Sequence, residues 1–166
     1  VGSEDGISAA PAHQGVVYVY DLTSATPEVP VFELRNPVVA YTNQFASSVA
    51  ISGRRVVVSS PTSSNGDGTF AGRVHVYDLD SATPTVPVTT LLSPTGMNDN
   101  EFGNDVAISG GRIAVGGYMD PPSSPPPPGR VYIYDWSGAT PVLQHTIINP
   151  TPYNGATENF AENIAL

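Results

Sequence analysis

Ser63, Asn65 and Asp67 stand at alternate positions ahead of Gly68 in "SSNGDGTFAG" (Ser63–Gly72), the spacing of the oxygen ligands in a calcium loop. Calcium takes about six to eight oxygens, many of them carboxylate. Here Asp67 is the one carboxylate, and Ala71 occupies the place of a closing acid. Asn65 and Asp67 are therefore weak calcium candidates, set against a plain Gly/Asn/Asp turn. "MNDNEFGND" (Met97–Asp105) gathers Asp99, Glu101 and Asp105. Paired carboxylates can share acid–base work, contact a cation, or simply solvate a turn. Asp99 and Glu101 have no matching pair elsewhere in the chain, which favours the turn. His13, His75 and His145 would have to converge to hold a metal. No G-x-S-x-G nucleophile pattern occurs. The expectation is a chain with no catalytic residue, no resident metal and no cofactor.

Composition narrows the partners. All 6 basic residues of the 166 are Arg, against 15 acids, for a net charge of −9. Phosphate backbones and anionic lipid need a basic footprint that this chain lacks. Without Cys there is no disulfide, thiol chemistry or thiolate metal site. No apolar run is long enough to span a bilayer as a helix, and the N-terminus shows no basic-then-apolar leader pattern. Gly (16) and Pro (17) mark a chain rich in turns.

The elements that must position any site repeat along the chain. "GVVYVYDLTSATPEVPV" begins at Gly15, "GRVHVYDLDSATPTVPV" at Gly72 and "GRVYIYDWSGATPV" at Gly129, 57 residues apart each time. A second set is offset from these: "QFASSVAISGRRVVV" from Gln44, "EFGNDVAISGGRIAV" from Glu101 and "NFAENIAL" from Asn159. One repeat reads as four strands: Ser48–Ser52, Arg55–Val58, Arg73–Asp78 and Val86–Leu92. Ser52-Gly53 and Ser109-Gly110 mark tight hairpins between the first two. Val74 and Val76 alternate with His75 and Tyr77, so both faces of the third strand are apolar or aromatic. A sheet with two apolar faces belongs in a stack. The predicted fold is all-β, built as β-propeller blades of four antiparallel strands in about three repeats, with an internally duplicated sandwich as the alternative. The blades divide as 1–42 (strands two to four), 43–99 and 100–157, with 158–166 the first strand of a further blade. Three blades are too few for a ring. They imply a larger six- or seven-bladed propeller, in a longer chain or completed by a second copy.

The recurrent Tyr18, Tyr20, Tyr77, Tyr132 and Tyr134, with His75 in the same register, read as core aromatics. Trp136 takes the place of Leu22 and Leu79 and is expected to pack as they do. Phe102 is expected to anchor the start of a blade. "PPSSPPPPG" (Pro121–Gly129) reads as a rigid spacer, or as a ligand for an aromatic groove.

"FGNDVAISGGRIAVGG" followed by "GRVYIYD" resembles an FG-GAP repeat, the blade of integrin α-chain propellers, and more closely the FG-GAP-like repeats of bacterial secreted and surface proteins. The resemblance covers nearly the whole chain. It implies an exported, extracellular or cell-surface propeller. The chain departs from the pattern in two ways. Phe-Gly occurs once, at Phe102-Gly103, with Phe45-Ala46 and Phe160-Ala161 in the other copies. The acidic calcium loop that integrin-type repeats carry between the first and second strands is replaced by the Ser-Gly hairpin.

The connection from third to fourth strand hardly changes ("DLTSATP", "DLDSATP", "DWSGATP"), whereas that from second to third changes completely. A variable face on a constant scaffold is where a ligand is expected. Candidate residues there are Glu4, Asp5, Asn65, Asp67, Phe70, Asp99, Glu101, Tyr118 and Asp120. The expected function is a non-catalytic scaffold for protein interaction, adhesion or assembly. A glycan-binding propeller using Phe70, Tyr118, Tyr41 and Tyr153 is the alternative, and an enzyme domain a third reading.

Overall fold

A computed structural model describes residues 2–3, 15–38, 44–63, 71–95, 101–117, 128–151 and 160–166. Eleven strands run in chain order: β1 (Gly2–Ser3), β2 (Val16–Tyr20), β3 (Pro30–Arg35), β4 (Val49–Ser52), β5 (Arg55–Ser60), β6 (Arg73–Asp78), β7 (Thr89–Leu92), β8 (Val106–Ser109), β9 (Arg112–Gly117), β10 (Arg130–Asp135) and β11 (Val142–Ile148). They form two four-stranded antiparallel sheets, β4–β7 and β8–β11, in which each strand pairs with the next in sequence. β2 and β3 form a further sheet, with the two-residue β1 at its edge. The fold is all-β; no ring closure is present among the described residues.

The four-strand reading of a repeat holds, with boundaries adjusted by physics. β5 continues past Val58 to Ser60, because Ser59 and Ser60 still pair with Val74 and Arg73. The fourth strand of the middle repeat starts at Thr89 rather than Val86, whose amide instead closes a turn on the Thr83 carbonyl at 3.0 Å. Gly53 and Gly110 sit at the first central position of their two-residue hairpins with φ of 60° and 57°, which a side chain would resist.

Burial on both faces follows the period of two along a strand. In β5, Val56 and Val58 pack with Val17, Leu34, Phe45, Tyr77 and Leu79, between the first and second sheets. Val57 turns the other way and joins Val74, Val76, Phe102, Val106, Ile113, Val115, Tyr132 and Trp136, between the second and third. The middle sheet is thus covered on both sides. Each fully buried valine contributes about 1.5–3 kcal/mol. His75 lies at the first of these seams, its ring 5.7 Å from that of Phe45. Phe102 packs 5.5 Å from Tyr132 at the second.

Two expectations about packing are corrected. Tyr77, Tyr132 and Tyr134 are core residues, but Tyr18 is only half-buried and Tyr20 is exposed. Leu79 and Trp136 are buried, whereas Leu22 is 82% exposed. The cause is shared. Tyr18, Tyr20 and Leu22 face away from the second sheet, and no sheet covers them among the described residues.

Candidate functional site

Among the described residues, several polar side chains meet at the seams between repeats. The second seam is the more complete. Ser48 and Asp105 occupy one position in successive repeats, just before β4 and β8. The Ser48 hydroxyl donates to Asp105 Oδ1 at 2.7 Å, and its oxygen accepts from the Val106 amide at 3.2 Å. One repeat on, Asp105 Oδ2 accepts from the Ile164 amide at 2.6 Å. Val106 and Ile164 are themselves equivalent residues. A side chain of one copy therefore caps the first-strand backbone of the next, and the device is used twice. At the other end of β4, the Ser52 hydroxyl accepts from the Gly110 amide at 3.0 Å. Three of these bonds satisfy backbone N–H groups, those of Val106, Ile164 and Gly110.

A second set of contacts serves the carbonyl that follows the third strand. In the middle repeat, Arg54 Nη2 donates to the Leu79 carbonyl at 3.2 Å, its Nε pairs with Asp80 at 2.8 Å, and its guanidinium lies 5.8 Å from the Phe32 ring. In the next repeat Gly111 replaces that arginine and supplies no donor. Arg55 reaches across the seam instead: Nη1 donates to the Trp136 carbonyl at 2.7 Å and the guanidinium covers the indole at 4.2 Å. A side chain at Gly111 would stand beside that Nη1. One carbonyl position is thus served by two different arginines, chosen by what occupies position 54 or 111.

Glycines make the third contact. Gly15, Gly72 and Gly129 precede their third strands at the repeat spacing, and a Cβ on any of them would meet the carbonyl oxygen of Phe45, Phe102 or Phe160. Those phenylalanines open the next repeat. The residue after each one has positive φ: Ala46 at 74°, Gly103 at 93° and Ala161 at 71°. Around Gly103 a methyl would press on Ser59 Cβ and Val74. At Ala161 the residue facing it is Gly116, the counterpart of Ser59. The pairs Gly103/Ser59 and Ala161/Gly116 therefore place one side-chain carbon between the repeats in either arrangement.

The turn after each third strand is closed by its own aspartate. Asp21 accepts from the Thr23 amide and hydroxyl, Asp78 from the Asp80 amide, and Asp135 from the Ser137 hydroxyl. The Thr23 hydroxyl and amide hold the Asp21 carboxyl below its ordinary value. His75 is pushed down to about 4, by burial first and by the Arg73 charge second, so it is neutral near pH 7. Its Nδ1 lies 3.0 Å from Thr90 Oγ1. Burial raises the phenols of Tyr77 and Tyr134, with Tyr132 adding to the effect at Tyr134.

Most residues singled out from the sequence fall elsewhere. Glu4, Asp5, Asn65, Asp67, Phe70, Asp99, Tyr118 and Asp120 lie outside the described residues, as do His13, Tyr41 and Tyr153. Glu101 is described: it is half-buried, has φ of 34°, and its carbonyl closes a turn with the Asn104 amide at 2.9 Å. Asp105, grouped with it as a candidate acid, is committed to the seam. His145 is exposed on β11 and does not meet His75. Among the described residues no group of three or more His, Asp or Glu side chains is placed to hold a metal ion. Ser48, Arg55 and Asp105 were not foreseen as joining residues. The available signal was the polar residue kept at positions 48, 105 and 163.

No protein-family model matches the chain, and no curated protein matches it.

Proposed function

We propose that the chain is a portion of a β-propeller of FG-GAP-like blades, six or seven in the full ring, acting as a non-catalytic extracellular or cell-surface scaffold for protein interaction, adhesion or assembly. The observation that carries this reading is the use made of polar groups. Ser48, Ser52, Arg55 and Asp105 join one repeat to the next, and Asp21, Asp78 and Asp135 close turns. The sheets stack in sequence order with the first strands β4 and β8 side by side, as blades around an axis would. The connections between second and third strands differ in every copy, so ligand recognition belongs to them.

The test is a loop exchange. Replacing residues 118–127 with residues 61–70 keeps the connection length and the scaffold while changing the proposed face. Binding to immobilised extracellular-matrix and cell-surface proteins should fall, with unfolding unchanged. Equal binding after the exchange refutes the loop face. Binding on a glycan array, abolished by Phe70→Ala or Tyr118→Ala, would favour a lectin-like propeller instead.

A further inference from the structure

Four polar atoms beside the seam between the first and second sheets are buried and meet no hydrogen-bond partner among the described residues: Asn36 Nδ2, Ser60 Oγ, Ser63 Oγ and His75 Nε2. Their residues are 8%, 0%, 1% and 1% exposed. The sheet register gathers them. Ser60 pairs with Arg73, and His75 stands two residues on along β6, so Ser60 and His75 share one face as diagonal neighbours. Val58, opposite His75, packs in the first seam and identifies that face. The Ser63 amide donates to the Ser60 carbonyl at 3.1 Å, and the Ser63 carbonyl accepts from the Gly72 amide at 3.1 Å, which holds Ser63 beside the start of β6. Asn36 follows β3, two residues after Leu34, which packs in the same seam. Its Oδ1 accepts from the Val38 amide at 2.9 Å, so the atom left over is a donor. His75 Nδ1 is engaged with Thr90 Oγ1 at 3.0 Å, which leaves Nε2.

The same register is polar in the next seam. Tyr132 stands for His75 and Gly117 for Ser60. The Tyr132 hydroxyl and Arg130 Nε, two residues apart on one face of β10, are also buried without a partner among the described residues. A buried polar group left unsatisfied carries its full desolvation cost. Protein interiors meet such groups with ordered water, about one molecule per 27 residues, each held by about two to four polar atoms. A cation is disfavoured at the first seam, because the Arg73 charge already acts on His75 and none of the four atoms belongs to a carboxylate.

We propose that each seam holds an ordered water at this register. Between the first and second sheets it joins His75 Nε2 to Ser60 Oγ, and Ser63 and Asn36 extend the network. Between the second and third it joins the Tyr132 hydroxyl to Arg130 Nε. The water is then a repeating element of the stack, held by imidazole and hydroxyl in one copy and by phenol and guanidinium in the next.

The experiment pairs a crystal structure fine enough to place water with urea unfolding followed by circular dichroism at neutral pH, where His75 is uncharged. Density for a water within hydrogen-bond distance of both atoms is expected at each pair. Tyr132→Phe keeps the shape of the ring and should raise the unfolding equilibrium constant about fivefold or more, since the water loses a partner and Arg130 Nε loses the water. A hydroxyl that held no water would make the phenylalanine variant equally or more stable, and that result overturns the second site. Ser60→Ala and His75→Phe should each destabilise, and the double variant should cost less than their sum, because either change alone releases the water. Additive costs overturn the first site. Density that shows no water at either pair overturns the proposal as a whole.

Discussion

Arg55 stacks on the Trp136 indole at 4.2 Å and donates to the carbonyl of the same residue at 2.7 Å. One side chain thus spans two repeats with both its plane and its hydrogen atoms. Arg55→Ala is expected to destabilise the chain by about 1–2 kcal/mol. Arg55→Lys should recover little, because an ammonium cannot stack flat and donate sideways at once. Urea unfolding followed through Trp136, the single tryptophan, measures both. A lysine variant as stable as wild type would reduce the contact to its charge.

Asp105 ties Ser48 on one side to Ile164 on the other. Asp105→Ala leaves a partly buried hydroxyl and an amide without their acceptor, a cost of about 2–3 kcal/mol. Asp105→Ser should cost less, since Ser48 performs the same capping one repeat earlier. Amide hydrogen exchange at Ile164 gives the local readout: protection should vanish in the alanine variant and persist in the serine one.

Gly103 and Ser59 should be energetically coupled. A methyl at position 103 would lie 2.9 Å from Val74 Cγ2 and 3.1 Å from Ser59 Cβ. Gly103→Ala is expected to cost about 2 kcal/mol, from contact and from positive φ together. Adding Ser59→Gly reproduces the Ala161/Gly116 pair and should return about 1 kcal/mol. Additive single effects in the double-mutant cycle would refute the compensation.

His75 makes stability depend on pH. Its folded value is about 4 against an ordinary 6.5, so the unfolded chain binds the proton first. The contribution is complete above pH 6.5 and is lost as pH falls through the window down to about 4. Between pH 7 and 4.5 the loss is roughly 2–3 kcal/mol. His75→Tyr, which copies Tyr18 and Tyr132 at the same register, should remove that part of the acid sensitivity. Urea midpoints of the two proteins at both pH values provide the comparison; equal acid losses would sink the assignment to His75.

Strand positions, the hairpins at Gly53 and Gly110, and the two-faced β6 were legible in the sequence. They rest on a period of two and on turn chemistry, both local. The start of the fourth strand was not legible: Val86 was expected, and β7 begins at Thr89. Even the odd Phe45-Ala46 and Phe160-Ala161 copies marked the repeat correctly, because the phenylalanine sets the register.

Burial in the outer copy was not legible. Tyr18, Tyr20 and Leu22 have the pattern of core residues, and only the stacking order shows that nothing among the described residues covers them. The seam chemistry was hidden for a related reason. Ser48 and Asp105 are 57 residues apart and Arg55 and Trp136 are 81 apart, so neither pair leaves a short-range motif. The sequence by itself determined the repeat, the strands and which faces are apolar, since these follow from neighbours along the chain. The tertiary structure alone decided which arginine serves which carbonyl and which carboxylate joins the repeats. Those choices depend on the distance between stacked sheets, and no spacing within one strand records it.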